Sequence, residues 1–281
     1  MDLARTIADL RSRGAAWRKA GGPIGLVPTM GALHAGHLAL VETARRDCER
    51  VIVSIFVNPK QFGPSEDFTA YPRREAGDLD LLRAAGVALV YLPAVAEMYP
   101  PGFATTVTVG GLGEGLCGRD RPGHFAGVAT VVAKLLLQAL PDAAYFGEKD
   151  YQQLLVIRRL AGDLNIPVRI VGVATVRAAD GLALSSRNAY LSPRERQIAP
   201  TLARTLRAIA GALARAPDRV ARELARGHSA LAEAGFAVEY LELCDAETLA
   251  PRASAAGPPA RVFAAARLGR TRLIDNVPVA L

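Results

Sequence analysis

Cysteine is scarce in this chain: three residues in 281, Cys48, Cys117 and Cys244, too far apart to make a Cys-x-x-Cys pair. No disulfide framework or thiolate metal knuckle can be assembled from them, so they read as reduced thiols of a cytoplasmic protein. Aromatic residues make up only 6% of the chain, and the arginines are scattered rather than massed. The net charge of +7 therefore lacks the stacking platform and basic patch of a nucleic-acid binder, and no nucleic-acid partner is expected. No apolar run approaches the ~20 residues of a membrane span, so no membrane partner is expected either. The opening Met1-Asp2-Leu3-Ala4-Arg5-Thr6 lacks the basic-then-apolar order of a secretion signal. Neither a Gly-x-Ser-x-Gly elbow nor a Cys/His pair with local context occurs. The chain thus offers no recognisable route to a covalent enzyme intermediate. Internal repeats and low-complexity tracts are missing too.

Half of the residues are apolar and 22% are charged, ordinary values for a globular protein. Apolar runs of strand length at 24–28, 50–57, 87–92, 143–146 and 168–173 alternate with helical spacing at 38–49, 75–85, 125–140 and 151–162. Runs such as Val51-Ile52-Val53-Ser54-Ile55-Phe56-Val57 suit strands covered on both faces. The alternation predicts a doubly wound α/β domain over 1–175, with its ligand at the carboxyl ends of the strands. Beyond 176 the texture changes. Ser192-Pro193-Arg194-Glu195 is a capping box opening a helix whose stripe is Leu202, Leu206, Ile209 and Leu213. A helix at 217–234, a strand at 236–243, a Pro/Ala/Gly-rich loop at 250–260 and strands at 261–267 and 271–275 follow. The last two strands look antiparallel, so a smaller α+β domain is predicted over 176–281.

The most informative stretch is Pro28-Thr29-Met30-Gly31-Ala32-Leu33-His34-Ala35-Gly36-His37. Strand, glycine turn and helix start follow one another, an arrangement that aims backbone N–H groups and a helix dipole at a phosphate. Two of the four histidines of the chain meet here. Taken alone, the pair reads more readily as an ordinary helix start, and no third metal ligand is near in sequence. Asn58 and Gln61 fall at the end of the second long strand, where amides suit a hydroxy-acid substrate or merely satisfy a turn. Lys149 lies at a further helix entrance within reach of a phosphate, with Asp150 as a helix cap and Gln153 one turn in. Ser185-Ser186-Arg187, after the Asp180-Gly181 turn, supplies hydroxyls and a forked cation that suit a polyphosphate or belong to a solvated loop. His124 either lines the cleft or caps a helix. Together these groups describe a site that positions two reactants and stabilises charge.

The set resembles the pantothenate synthetase (pantoate–β-alanine ligase) family, a branch of the nucleotidyl-transferase superfamily. The likeness runs through Pro28–His37, Ser54–Phe62, Tyr71-Pro72-Arg73, Arg121–Val128, Phe146–Gln153, Asp180–Asn188 and Leu273-Ile274-Asp275-Asn276. It implies a Rossmann-like first domain and a smaller second domain closing over the site. It also implies an ATP-dependent ligation in two steps, through a pantoyl adenylate that the β-alanine amine then attacks. ATP is implied on Met30, Gly31, Ala32, Leu33, His34, Ala35, Gly36, His37, Gly147, Glu148, Lys149, Asp150, Val176, Leu184, Ser185, Ser186 and Arg187. Pantoate is implied on Gln61 and Gln153, with Asn58 beside them. His37 is implied as proton donor, and the residue types themselves suggest His34 and His37 with Lys149 and the Ser185-Ser186-Arg187 loop as the groups that neutralise charge. Mg²⁺ is expected to travel with the triphosphate, Asp78 being the one protein ligand suggested. A homodimer in the cytoplasm is implied as well. Cys117 stands where many members carry glutamate. A nucleotidyl transferase that stops after moving AMP or CMP, and a nucleotide-binding regulator without chemistry, are the competing readings.

Overall fold

The apolar run beginning at Ile24 is buried because it becomes the centre of a sheet. The computed structural model describes residues 1–64 and 66–280; Ser65 and Leu281, one in each expected domain, lie outside them. Strands β1 (Asp2–Ala4), β2 (Ile24–Thr29), β3 (Arg50–Ile55), β4 (Leu89–Tyr91), β5 (Ala143–Gly147) and β6 (Arg169–Val173) form one sheet in the order β1-β4-β3-β2-β5-β6. Every neighbouring pair is parallel. Helices α1 (Ile7–Ala20), α2 (Ala35–Asp47), α3 (Glu75–Ala84), α4 (Val95–Met98), α5 (Cys117–Asp120), α6 (His124–Ala139) and α7 (Tyr151–Asp163) lie between the strands in sequence. The doubly wound α/β architecture expected from the alternation is the one formed. Strand order reverses between β2 and β5, so the turns leaving these two strands open at the switch point of the sheet, where such folds bind ligands.

Element edges follow local chemistry. β3 stops at Ile55 because Asn58-Pro59 already turns the chain. Two elements carry too little pattern to be read in advance: β1 has three residues, and α1 buries only Leu10 and Gly14. α6 is the opposite case, with twelve buried residues including Val128, Val131, Val132, Leu135 and Leu136.

The second sheet is antiparallel, β7 (Phe236–Asp245), β8 (Ala260–Leu268) and β9 (Thr271–Val279), with Leu268 paired to Thr271 across a tight turn. Its helices are α8 (Pro193–Ile198), α9 (Thr201–Arg215) and α10 (Val220–Glu233). The single helix expected from Ser192 is two, α8 and α9, because Pro200 has no N–H to continue the ladder. The Ser192/Glu195 capping box forms, with bonds of 3.3 and 2.8 Å. Leu202, Leu206, Ile209 and Leu213 are buried in one cluster with Val262, Ala264, Leu273 and Val277. Each leucine, isoleucine or valine among them contributes about 1.5–3 kcal/mol of burial.

The chain divides into two compact units. The first holds Met1–Gly113, Arg121–Glu148 and Gln153–Ala174; the second holds Glu114–Asp120, Lys149–Gln152 and Thr175 onward. The two short early segments of the second unit carry no signal in composition or periodicity. Among the described residues no helix is long and apolar enough to cross a membrane.

Candidate functional site

The turn after β2 is built from inside. Gly31 has φ +80°, and a Cβ there would lie 3.0 Å from Asp78 Oδ2 and 3.1 Å from Ile55 Cγ2, so only glycine fits. Asp78, 3% exposed on α3, accepts the N–H groups of Ala32 and Leu33 at 2.8 Å on its two oxygens. The Gly31 N–H goes to Thr29 Oγ1, which itself donates to the Ser54 carbonyl. One expectation is corrected here. The N–H groups of Gly31, Ala32 and Leu33 are turned inward onto Thr29 and Asp78 rather than outward to an anion. Asp78, for its part, serves the turn as a buried acceptor.

The two histidines of this turn cap the helix that follows it. His34 is the N-cap of α2: its Nδ1 accepts the Gly36 N–H at 3.1 Å, while His37 Nδ1 accepts the His34 N–H at 3.3 Å. The pair is a capping box made of imidazoles, its rings 4.1 Å apart at 38°. With both Nδ1 atoms accepting, the proton of each neutral ring sits on Nε2. Helix-start residue and hydrogen-bond donor are thus the same two side chains.

Gln61 is gripped at both ends. At its backbone, His124 Nδ1 donates to the Gln61 carbonyl at 2.8 Å, and Arg121 Nη2 lies 3.4 Å from the same oxygen. Arginine can only donate, so the 3.0 Å contact from Arg121 Nη1 makes His124 Nε2 an acceptor and places the ring proton on Nδ1. Glu66 takes the Arg121 fork with two bonds of 2.6 Å. Burial opposes the Glu66 charge, but the Arg121 bonds and charge outweigh it and hold the carboxyl at about 2. His124 therefore anchors a carbonyl; the α6 cap is Gly123, which makes no side-chain cap bond.

At its side chain, Gln61 Oε1 accepts from Asn58 Nδ2 at 2.9 Å, leaving Nε2 directed at Met30 Sδ, 3.3 Å away. Asn58 is 1% exposed and its amide is full: Oδ1 accepts from Tyr99 Oη (2.7 Å) and the Lys60 N–H (3.3 Å), and Nδ2 also donates to the Gly127 carbonyl (3.1 Å). The expectation that Asn58 faces the substrate is corrected, since all four of its hydrogen-bonding positions are taken within the chain. Burial pushes the Tyr99 hydroxyl up to about 12, so it stays a donor. A Cβ on Gly127 would meet the Lys60 carbonyl at 2.1 Å, so α6 approaches this loop as closely as backbone allows.

β5 ends at Gly147 and the turn after it begins with Glu148, and Gln153, also of the first unit, lies in the first turn of α7. In the second unit, Lys149 Nζ is 3.7 Å from Asp150 Oδ2. There too Val176 and Leu184 are joined, the Leu184 N–H reaching the Val176 carbonyl at 3.0 Å beside the Arg177–Ala183 bridge. Ser185 caps the short helix Ser186–Tyr190 by accepting from the Arg187 N–H. Cys117 is buried with Sγ 3.0 Å from Tyr240 Oη and 3.5 Å from Arg272 Nη2. Tyr99, His124, Asp275 and Asn276 gained no role, or an undecided one, from sequence. Their signal was present only as membership of longer motifs, apart from Tyr99, which had none.

A family model described as pantoate-beta-alanine ligase matches residues 2–278. A pantothenate synthetase of Paramagnetospirillum magneticum is 59% identical over 278 residues, 99% of this chain and 97% of its own. The solved pantothenate synthetase of Thermus thermophilus superposes with a TM-score of 0.94 at 51% identity over the whole of both chains. The pantoate-beta-alanine ligase of Francisella tularensis, solved with beta-gamma ATP and beta-alanine, gives 0.82 at 34% identity over 99% of this chain and 97% of that one.

Proposed function

The chain belongs to the pantoate-beta-alanine ligase family, and on that premise we propose that it joins pantoate to β-alanine with ATP. A pantoate carboxylate oxygen attacks the α-phosphorus and pyrophosphate leaves, giving pantoyl adenylate. The β-alanine nitrogen then attacks the acyl carbon, AMP leaves, and the nitrogen sheds a proton. The observation that carries the reading is 59% identity along essentially the full chain to a pantothenate synthetase.

In this reading His34 and His37 donate from Nε2 to phosphate oxygens as charge builds in the first step, and His37 is the proton donor. The inward commitment of the Gly31, Ala32 and Leu33 amides supports a role for the imidazoles in meeting the nucleotide. Gln61 offers Nε2–H to an oxygen of pantoate, and Gln153 is its partner. Lys149 and Arg187 neutralise the polyphosphate and Ser185 and Ser186 donate hydroxyls to it, with Gly147, Glu148, Asp150, Val176 and Leu184 along the nucleotide. Among the described residues no cluster of three His, Cys, Asp or Glu could hold a metal. Mg²⁺ is therefore assigned only as a companion of the triphosphate, and no step is routed through it. A cytoplasmic homodimer completes the proposal, and the three free, buried cysteines suit such a compartment.

AMP release with ATP and pantoate, measured with and without β-alanine, tests the reading. AMP release that needs β-alanine is the expected result. Pyrophosphate release with no β-alanine-dependent AMP identifies a nucleotidyl transferase instead.

A further inference from the structure

Asp275 and Asn276 sit side by side on β9, 4% and 3% exposed, between Leu273 and Val277. A carboxylate and an amide buried in a strand are costly unless their bonds are met. Both are met, and alternation along the strand sends the two side chains to opposite faces. Asp275 takes the Arg177 fork at 2.6 and 2.8 Å, and Arg177 also donates to the Gly181 carbonyl at 3.1 Å. The root and the tip of the hairpin over 177–183 are thereby tied to one carboxylate. From that hairpin, Leu184 N–H to the Val176 carbonyl and Asn188 Nδ2 to the Ala183 carbonyl carry the tie into Ser185-Ser186-Arg187.

Asn276 acts on the other face. Its Oδ1 accepts from Arg261 Nε at 2.9 Å and its Nδ2 donates to the Lys149 carbonyl at 3.0 Å. Arginine has no acceptor, so the amide has one orientation, with its NH₂ toward Lys149. The Arg261 guanidinium lies 4.0 Å above the Tyr151 ring, which holds the same stretch two residues further on. The Asn276 N–H in turn donates to Asp275 Oδ1 at 2.8 Å, linking the two grips.

We infer that Asp275 and Asn276 are positioning residues for nucleotide use, setting from adjacent strand positions both the Lys149 segment and the loop carrying Ser185, Ser186 and Arg187. Apolar side chains could fill the same volume; a carboxylate and an amide also fix where the two segments lie. The inference rests on the reading that those segments handle ATP.

The test is Asn276→Asp, which keeps size and the acceptor for Arg261 but cannot donate to the Lys149 carbonyl. The expected result is a KM for ATP raised about tenfold, as for a buried carbonyl that loses its donor, with the KM for pantoate unchanged. Asn276→Ala, read the same way, serves if the first variant does not fold. An unchanged KM for ATP, or an equal rise for both substrates, overturns the inference provided that Lys149→Ala impairs ATP use. If Lys149→Ala leaves ATP use intact, the assignment of Lys149 fails first, and the inference falls with it.

Discussion

Asn58 Nδ2 lies 2.9 Å from Oε1 of Gln61, and backbone decides which way the Asn58 amide faces: the Lys60 N–H on one side, the Gly127 carbonyl on the other. The orientation of Gln61 is therefore inherited from main chain two steps away. It presents a donor, and a donor suits an oxygen of a hydroxy acid.

Reversing that inheritance should reverse the preference. In Asn58→Asp the inner oxygen can only accept, so Gln61 turns its NH₂ inward and offers Oε1 instead. Steady-state kinetics should show the KM for pantoate raised about tenfold, the scale of one mismatched hydrogen bond, and the KM for ATP nearly unchanged. Equal effects on both substrates would assign Asn58 to stability alone.

The capping contact of His37 and its proposed role in the chemistry can be separated. His37→Ala removes both the acceptor for the His34 N–H and the Nε2 donor, and should lower pantothenate formation by roughly 10²-fold or more while also costing the helix cap about 1 kcal/mol. His37→Gln retains a side-chain acceptor. Thermal melting should then recover while turnover does not; recovery of turnover would remove the imidazole from the chemistry.

Gly127→Ala tests the close approach of α6. Its Cβ would lie 2.1 Å from the Lys60 carbonyl, so the loop bearing Asn58 and Gln61 must shift. A destabilisation of about 1–3 kcal/mol by urea unfolding is expected, the scale of overpacking, with pantoate use damaged more than ATP use. A silent substitution would contradict this packing.

Glu66 gives a pH signature. Its carboxyl is held at about 2, below the ordinary 4.5, so its contribution is complete above pH 4.5 and is lost as pH falls from there toward 2. Urea midpoints measured across that window should fall less steeply with acid for Glu66→Gln than for the unaltered chain. Parallel curves would show that the Arg121 pairing adds nothing to stability.

The central strands and α6 were legible because burial on both faces leaves continuous apolar runs, and a helix laid on a sheet leaves an i, i+3, i+4 stripe. β1 and α1 left no such trace, one being too short and the other mostly exposed. The split at Ala199-Pro200 was written in the sequence as a proline, yet the Leu202–Leu213 stripe concealed it. At the site, the turn at 28–37 and the residues Gln61, Lys149 and Arg187 stood out by type and place.

Sequence alone determined the family and the alternation of the sheet, and it supplied the candidate groups for a polyphosphate, because these depend on residue type and order. Tertiary structure decided what each group faces. It turned the Ala32 and Leu33 amides onto Asp78 and closed Asn58 around Tyr99, Lys60, Gly127 and Gln61. It also gave Asp275 and Asn276 their partners at Arg177 and Lys149, 98 and 127 positions away. Hydrogen bonds are directional and short-ranged, so the partner a buried polar group takes is set by folded geometry, which no local pattern records.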